Sequence, residues 1–194
     1  MRLTDDRYAA ERSQFELALR MIRHEARTGT IRDCTGLSDD RIRKLYSTYF
    51  RDTGVTGVRR RRGKSPRQIA LFVKNAAYQL QATTLIALFC TGLLLRVDDD
   101  NTVHSCWPRP DVEFGHRVCR AFETYLLLHN KPLLNFEWTW NLLQSITCND
   151  ELSLAVCSAC HARYVQDAYA LDVKTCPACE IEARQLRRPG IRSL

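Results

Sequence analysis

Four cysteines near the C-terminus are the residues in this chain most able to do chemistry: Cys157-Ser-Ala-Cys160, then fifteen residues, then Cys176-Pro-Ala-Cys179. Two C-x-x-C pairs at this separation have the spacing of a zinc site. The two-residue gap lets both sulfurs of one knuckle reach one ion. The longer insert is about enough for a hairpin that returns the second knuckle opposite the first. Four thiolates fill the tetrahedral positions of a structural zinc and leave none for water or substrate. One structural Zn2+ is therefore the expected cofactor. C-x-x-C also serves disulfide exchange, but nothing nearby resembles the βαβ frame of a thioredoxin-like motif. Paired disulfides fit less well. The chain opens on Met1 and Arg2, with Asp5, Asp6 and Arg7 close behind, not on an apolar signal segment, and it has an odd total of nine cysteines. A reducing cytoplasm is expected. Cys34, Cys90, Cys106, Cys119 and Cys148 are scattered, and Cys90 and Cys119 read as core thiols.

Charge supplies the second signal. The 194 residues carry a net charge of +7. From Thr53 to Val97 there is no acidic residue, but there are Arg59, Arg60, Arg61, Arg62, Lys64, Arg67, Lys74 and Arg96. That stretch exceeds the net charge of the whole chain, so the rest is nearly balanced. A basic patch this focused implies a polyanionic partner, and nucleic acid is the common one. The content of apolar residues, 45%, supports a folded core with a small appended module. The longest apolar zone, Leu80 to Leu95, is interrupted by Gln81, Thr83 and Thr84 and reads as a buried helix, not a membrane span.

The elements that must position these groups are mostly helical. A first helix is expected from Thr4, as N-cap, to about Ala26, with Thr28-Gly29-Thr30 breaking it. A short segment from Ile31 to Thr35 ends at Gly36. Ser38 then caps a helix to about Phe50 with Ile42, Leu45, Tyr46 and Tyr49 as its buried stripe. This order resembles a helix-turn-helix, with Arg43 and Lys44 on the outer face. Those two, with Arg59, Arg60, Arg61, Arg62, Lys64 and Arg67, are the candidate DNA contacts. Asp39 and Asp40 suit the helix N-terminus. Ser65-Pro66 restarts a helix to about Leu95 whose wide apolar faces need covering by this chain or another. Val97 to Pro110 reads as a connector. Asp111 caps a helix ending near Asn130, and Pro132 starts the next, whose aromatics read as core. Leu152 to Val156 leads into the first knuckle. Tyr164-Val165 and Asp172-Val173 are the expected arms of a hairpin between the knuckles. The tail after Cys179 reads as partly disordered. The expected domains are a helical body over 1–150 and a zinc-ribbon-like module with a basic tail over 151–194.

This order of features resembles the FlhC family, a subunit of the bacterial flagellar master transcription activator. The resemblance rests on Leu37-Ser38 through Arg41-Ile42-Arg43-Lys44-Leu45-Tyr46, on Phe89-Cys90 with Gly92, on Pro132-Leu133-Leu134 with the Trp-containing helix, and on Leu152 to Cys160 with Cys176 to Cys179. It spans nearly the whole chain and is weakest from Thr53 to Arg67. It implies a mostly helical protein whose zinc ligands are Cys157, Cys160, Cys176 and Cys179. It also implies a hetero-oligomer with FlhD, typically four FlhD and two FlhC chains, that binds promoter DNA and works with RNA polymerase on flagellar genes. No Gly-rich phosphate loop, paired carboxylates or histidine cluster suggests an enzyme. Two other readings share the same residues: a zinc-ribbon RNA-binding or ribosome-associated protein, and a CxxC thiol oxidoreductase.

Overall fold

The apolar spacing of Leu17, Ala18, Met21 and Ile22 builds a helix whose inner face is fully buried. This helix, α1, spans Arg2–Arg23 in the computed structural model, which describes residues 2–51, 57–61, 63, 68–148, 151–170 and 175–186. Thr4 lies inside α1 and does not cap it, since Arg2 and Leu3 are themselves good helix formers. The chain reverses at Glu25, which takes a left-handed φ of 58°. The expected break at Thr28-Gly29-Thr30 is instead the start of α2, Thr28–Thr35. No local side chain caps α2. A buried carboxylate from far along the chain does so: Glu137 Oε1 accepts from the Arg27 N–H at 2.7 Å, and Oε2 from Thr30 Oγ1 at 3.3 Å.

Gly36, at φ 70°, ends α2, and Ser38 caps α3, Asp39–Tyr46. The turn between the two helices is three residues long, and α1 packs on both. A single π turn, Ser47–Arg51, follows α3. The extra residue in that wider turn rotates the stripe by one position. Phe50 is therefore buried, while Tyr49, expected inside, is 52% exposed.

Ser65-Pro66 lies outside the described residues. After a 3-10 turn at Ile69–Leu71, α4 starts only at Ala76, because the Asn75 side chain accepts from the Tyr78 N–H and caps it there. It runs to Thr91. This helix is the axis of the molecule, and its broad apolar surface is covered by this chain on most sides, by α5 (Val112–Leu128), α6 (Phe136–Cys148), α7 (Pro177–Leu186) and the strands. Leu93 holds a left-handed φ of 55° just past its end.

The expected connector after Val97 is a β-hairpin. β1, Leu95–Val97, pairs antiparallel with β2, Val103–Ser105, and the acidic run from Asp98 to Asp100 forms its turn. Asp111 caps α5, as its side chain accepts from the Phe114 N–H at 2.8 Å. Pro132 does not start α6. The Leu133 and Leu134 N–H groups donate to the buried Tyr125 hydroxyl, while Gln81 accepts the Leu133 N–H on Oε1 and donates Nε2 to the Lys131 carbonyl. The helix begins only where Asn135 caps it, at Phe136.

The last hairpin also differs from the expected one. β3, Leu152–Val156, pairs with β4, Arg163–Asp167: Tyr164-Val165 is a strand between the knuckles as expected, but its partner strand precedes the first knuckle. Asp172-Val173 lies outside the described residues. Leu152, Leu154 and Val165 join the main core, while Ala155, Cys157, Tyr164 and Cys176 form a small second one. The outer edge of β4 is closed by α4 side chains: Val165 receives Gln79 Nε2 on its carbonyl at 2.8 Å and gives its N–H to Thr83 Oγ1 at 3.1 Å. After Cys179 the chain stays helical to Leu186. Residues 187–194 lie outside the described set. Among the described residues no helix is long and apolar enough to cross a membrane.

Candidate metal centre and cationic surface

The pairing of Val156 with Arg163 closes the β3–β4 hairpin and leaves residues 157–162 as a tight loop. The Cys157 N–H donates to the Ala162 carbonyl at 2.9 Å, the His161 N–H to the Cys157 carbonyl at 3.0 Å, and His161 adopts a φ of 59°. This fold-back points Cys157 and Cys160 to one side. The second pair sits on a helix start. Cys176 stands at the N-cap of α7, Pro177 follows at the first helical position, and the Cys179 N–H points at the Cys176 sulfur, 3.5 Å away. The positive end of the helix favours thiolate there.

The two halves meet sulfur to sulfur. Cys157 and Cys179 Sγ are 4.0 Å apart, Cys160 and Cys176 Sγ 3.6 Å, and all four lie within 4.8 Å of one another. An ion held at about 2.3 Å by four tetrahedral sulfurs sets them about 3.8 Å apart. A disulfide needs about 2.05 Å, and all nine cysteines are free thiols. The four cysteines are thus placed to hold one metal ion. Among the described residues they are the one such group of His, Cys, Asp or Glu.

Backbone donors prepare the cage for negative charge. The Cys176 N–H reaches Cys157 Sγ at 3.1 Å and the Ala159 N–H at 3.4 Å. These donors, the Cys176 amide first, lower the Cys157 thiol to about 6. Cys179 is pushed up to about 12 by the neighbouring sulfurs of Cys160 and Cys176. Four thiols this close cannot all ionise without a cation among them. Of the remaining cysteines, burial raises the pKa of Cys34 and holds Cys119 at about 12, so neither is a nucleophile.

The basic residues come together in the first half of the chain. Tyr46, at the end of α3, donates its hydroxyl to the Val58 carbonyl at 2.9 Å and accepts the Arg60 N–H at 3.1 Å. Glu25 accepts the Arg59 N–H at 3.2 Å and pairs with the Arg61 guanidinium at 2.8 Å. Gly57 and Gly63, both at positive φ, flank the segment. These contacts hold residues 57–61 alongside α3, and an open trough lies between them. Its walls are Arg43, Lys44 and Ser47 on one side and Val58, Arg59 and Arg60 on the other.

The trough is net positive. Asp40 engages Arg43 at 2.7 Å, and Asp39 is taken by Arg32 at 3.2 Å. Among the described residues, the side chains of Lys44, Arg59 and Arg60 make no ion pair. The structure thus gathers Arg43, Lys44, Arg59 and Arg60, commits Arg61 to Glu25, and does not describe Arg62, Lys64 or Arg67. Sequence reading missed Glu25 and Tyr46 as the organisers. Tyr46 carried only an apolar-stripe signal, and Glu25 none, because its arginine partners lie more than thirty positions on. No protein-family model matches the chain, and the curated proteins contain no match to it.

Proposed function

We propose that the chain is a DNA-binding subunit of a transcriptional activator of the FlhC type, held at its C-terminal end by one structural zinc ion. The observation that carries the DNA reading is the trough. A helix and an adjacent segment present Arg43, Lys44, Arg59 and Arg60 around one open channel, with the nearby aspartates already neutralised. Phosphate oxygens are the natural ligands of such a surface. Zinc suits the cage by donor type and size. Cys157 and Cys160 on the hairpin and Cys176 and Cys179 on α7 would hold it. Its role there is to join the two elements, because four sulfurs leave it no open position. The ion and the basic surface serve different tasks in one cytoplasmic protein.

A FlhD-type partner completes the proposal, in an assembly that binds promoter DNA and engages RNA polymerase at flagellar genes. Support for a partner does not come from α4, which this chain covers itself. It comes from the end of α5 and the loop after it. Leu127 and Leu128 are 85% and 60% exposed there, with Leu126 and Leu133 partly exposed beside them. Surface leucines in a group mark association surfaces.

The test is salt-dependent binding of promoter duplexes by the co-purified complex. Changing both Arg59 and Arg60 to Gln should weaken duplex binding. The slope of log K against log salt should flatten by roughly 0.9 for each phosphate that the variant no longer neutralises. An unchanged slope would overturn the assignment of the trough. Metal analysis of the same sample should return one zinc per chain, and Cys176→Ser should abolish it.

A further inference from the structure

The trough has two unlike walls, and this asymmetry says more than its charge does. One wall is a helix, α3, with Asp40, Arg43 and Lys44 outward. The other is the non-helical segment 57–61, bracketed by glycines at φ 52° and 90°. In B-form DNA each sugar–phosphate strand is the ridge between a wide major groove and a narrow minor one. The major groove, about 12 Å wide, admits an α-helix, while the minor groove, about 6 Å wide, admits only a thin segment with long side chains. A cationic channel with a helix on one side and an arginine-bearing arm on the other matches that ridge.

We propose that the trough seats one strand of B-form DNA, with α3 in the major groove on one side and Arg59 and Arg60 in the adjoining minor groove on the other. The inference rests on the DNA-binding reading and adds a ligand class to it: duplex DNA with A·T pairs flanking the site that α3 faces. Arginine in a minor groove favours A·T because narrow A·T tracts have the more negative potential. The guanine 2-amino group also obstructs the groove floor. The arm is built for this. Its hold on the body uses the Tyr46 hydroxyl and the Glu25 carboxylate against the backbone amides of Arg59 and Arg60, which leaves both guanidinium groups outside the clasp. Arg61, the next residue, is tied back to Glu25. Duplex RNA is a poor fit, since its major groove is too deep and narrow for α3.

The experiment separates the grooves by chemistry. A duplex is first selected from a random pool by the intact complex. The three base pairs on each flank are then made A·T, G·C or inosine·C. Inosine·C keeps the major-groove pattern of G·C but lacks the minor-groove amino group. The inference expects inosine·C to bind like A·T, both about tenfold more tightly than G·C. In the Arg59→Gln, Arg60→Gln double variant the three flanks should become equal while the central preference persists. These substitutions leave the backbone clasp in place. If inosine·C behaves like G·C, or if the wild type does not distinguish the flanks, the minor-groove arm is wrong while DNA binding stands. Equal affinity for duplex RNA also overturns the arm and points to the RNA-binding alternative. Failure to select any duplex removes both readings.

Discussion

Glu123 shows how single residues set the pH range of this fold. Its carboxylate receives Arg20 through Nε at 2.8 Å and Nη2 at 2.5 Å, and His24 Nε2 at 2.8 Å. The Arg20 hydrogen bonds, above all, lower it from 4.5 to about 2. A carboxylate with a depressed folded-state pKa adds stability above its unfolded pKa and loses it as pH falls through the folded value. The contribution is therefore complete above about pH 5 and lost between there and pH 2. With the side chain 38% exposed, solvent screening reduces it to about 1 kcal/mol. Glu123→Gln should lower stability by that amount at pH 7. The difference from wild type, followed by urea unfolding at a series of pH values, should close as pH approaches 2. A gap independent of pH would mean that packing, not charge, is lost. At this scale the clustering of Cys157, Cys160, Cys176 and Cys179 was legible, because C-x-x-C spacing is a local code. Glu123, Glu25 and Glu137 were not, since each finds its partner across a long stretch of chain.

Several helix boundaries with local caps could be read, although the local caps Asn75 and Asn135 were missed, and boundaries set by distant groups could not be read. Gly36, Ser38 and Asp111 each mark a helix boundary within three residues of it, and the structure places those boundaries as read. The start of α2 could not be read, because its cap is Glu137, more than a hundred residues away. The start of α6 is delayed by Gln81 and Tyr125, which occupy the backbone after Pro132. β1 and β2 are three residues each, too short to show alternation. The Glu137 link makes a clear prediction. It is 2% exposed, and it joins α6 to the helix that precedes α3. Glu137→Ala should leave buried donors unsatisfied and cost about 2–4 kcal/mol. Chemical denaturation measures this directly, and a loss under about 0.5 kcal/mol would show that water replaces the carboxylate without penalty.

On the scale of the whole molecule, the last hairpin belongs to two bodies at once. Leu152, Leu154 and Val165 are buried in the main core, while its tip supplies Cys157 and Cys160. On the proposed zinc reading, chelation under reducing conditions should release α7 and the knuckles but leave the body folded. The readouts separate cleanly because all three tryptophans, Trp107, Trp138 and Trp140, lie in the body. Trypsin should cut at Arg184 once metal is removed, with tryptophan emission unchanged. A shift in that emission would mean that the body loses its packing together with the site.

Gln79 and Thr83 have one more effect. A two-stranded ribbon normally offers a bare edge on which a neighbouring copy can stack, the first step toward fibrils. Both main-chain groups of Val165 are already taken by side chains of α4. The middle of that edge is therefore closed to strand addition by a neighbouring copy.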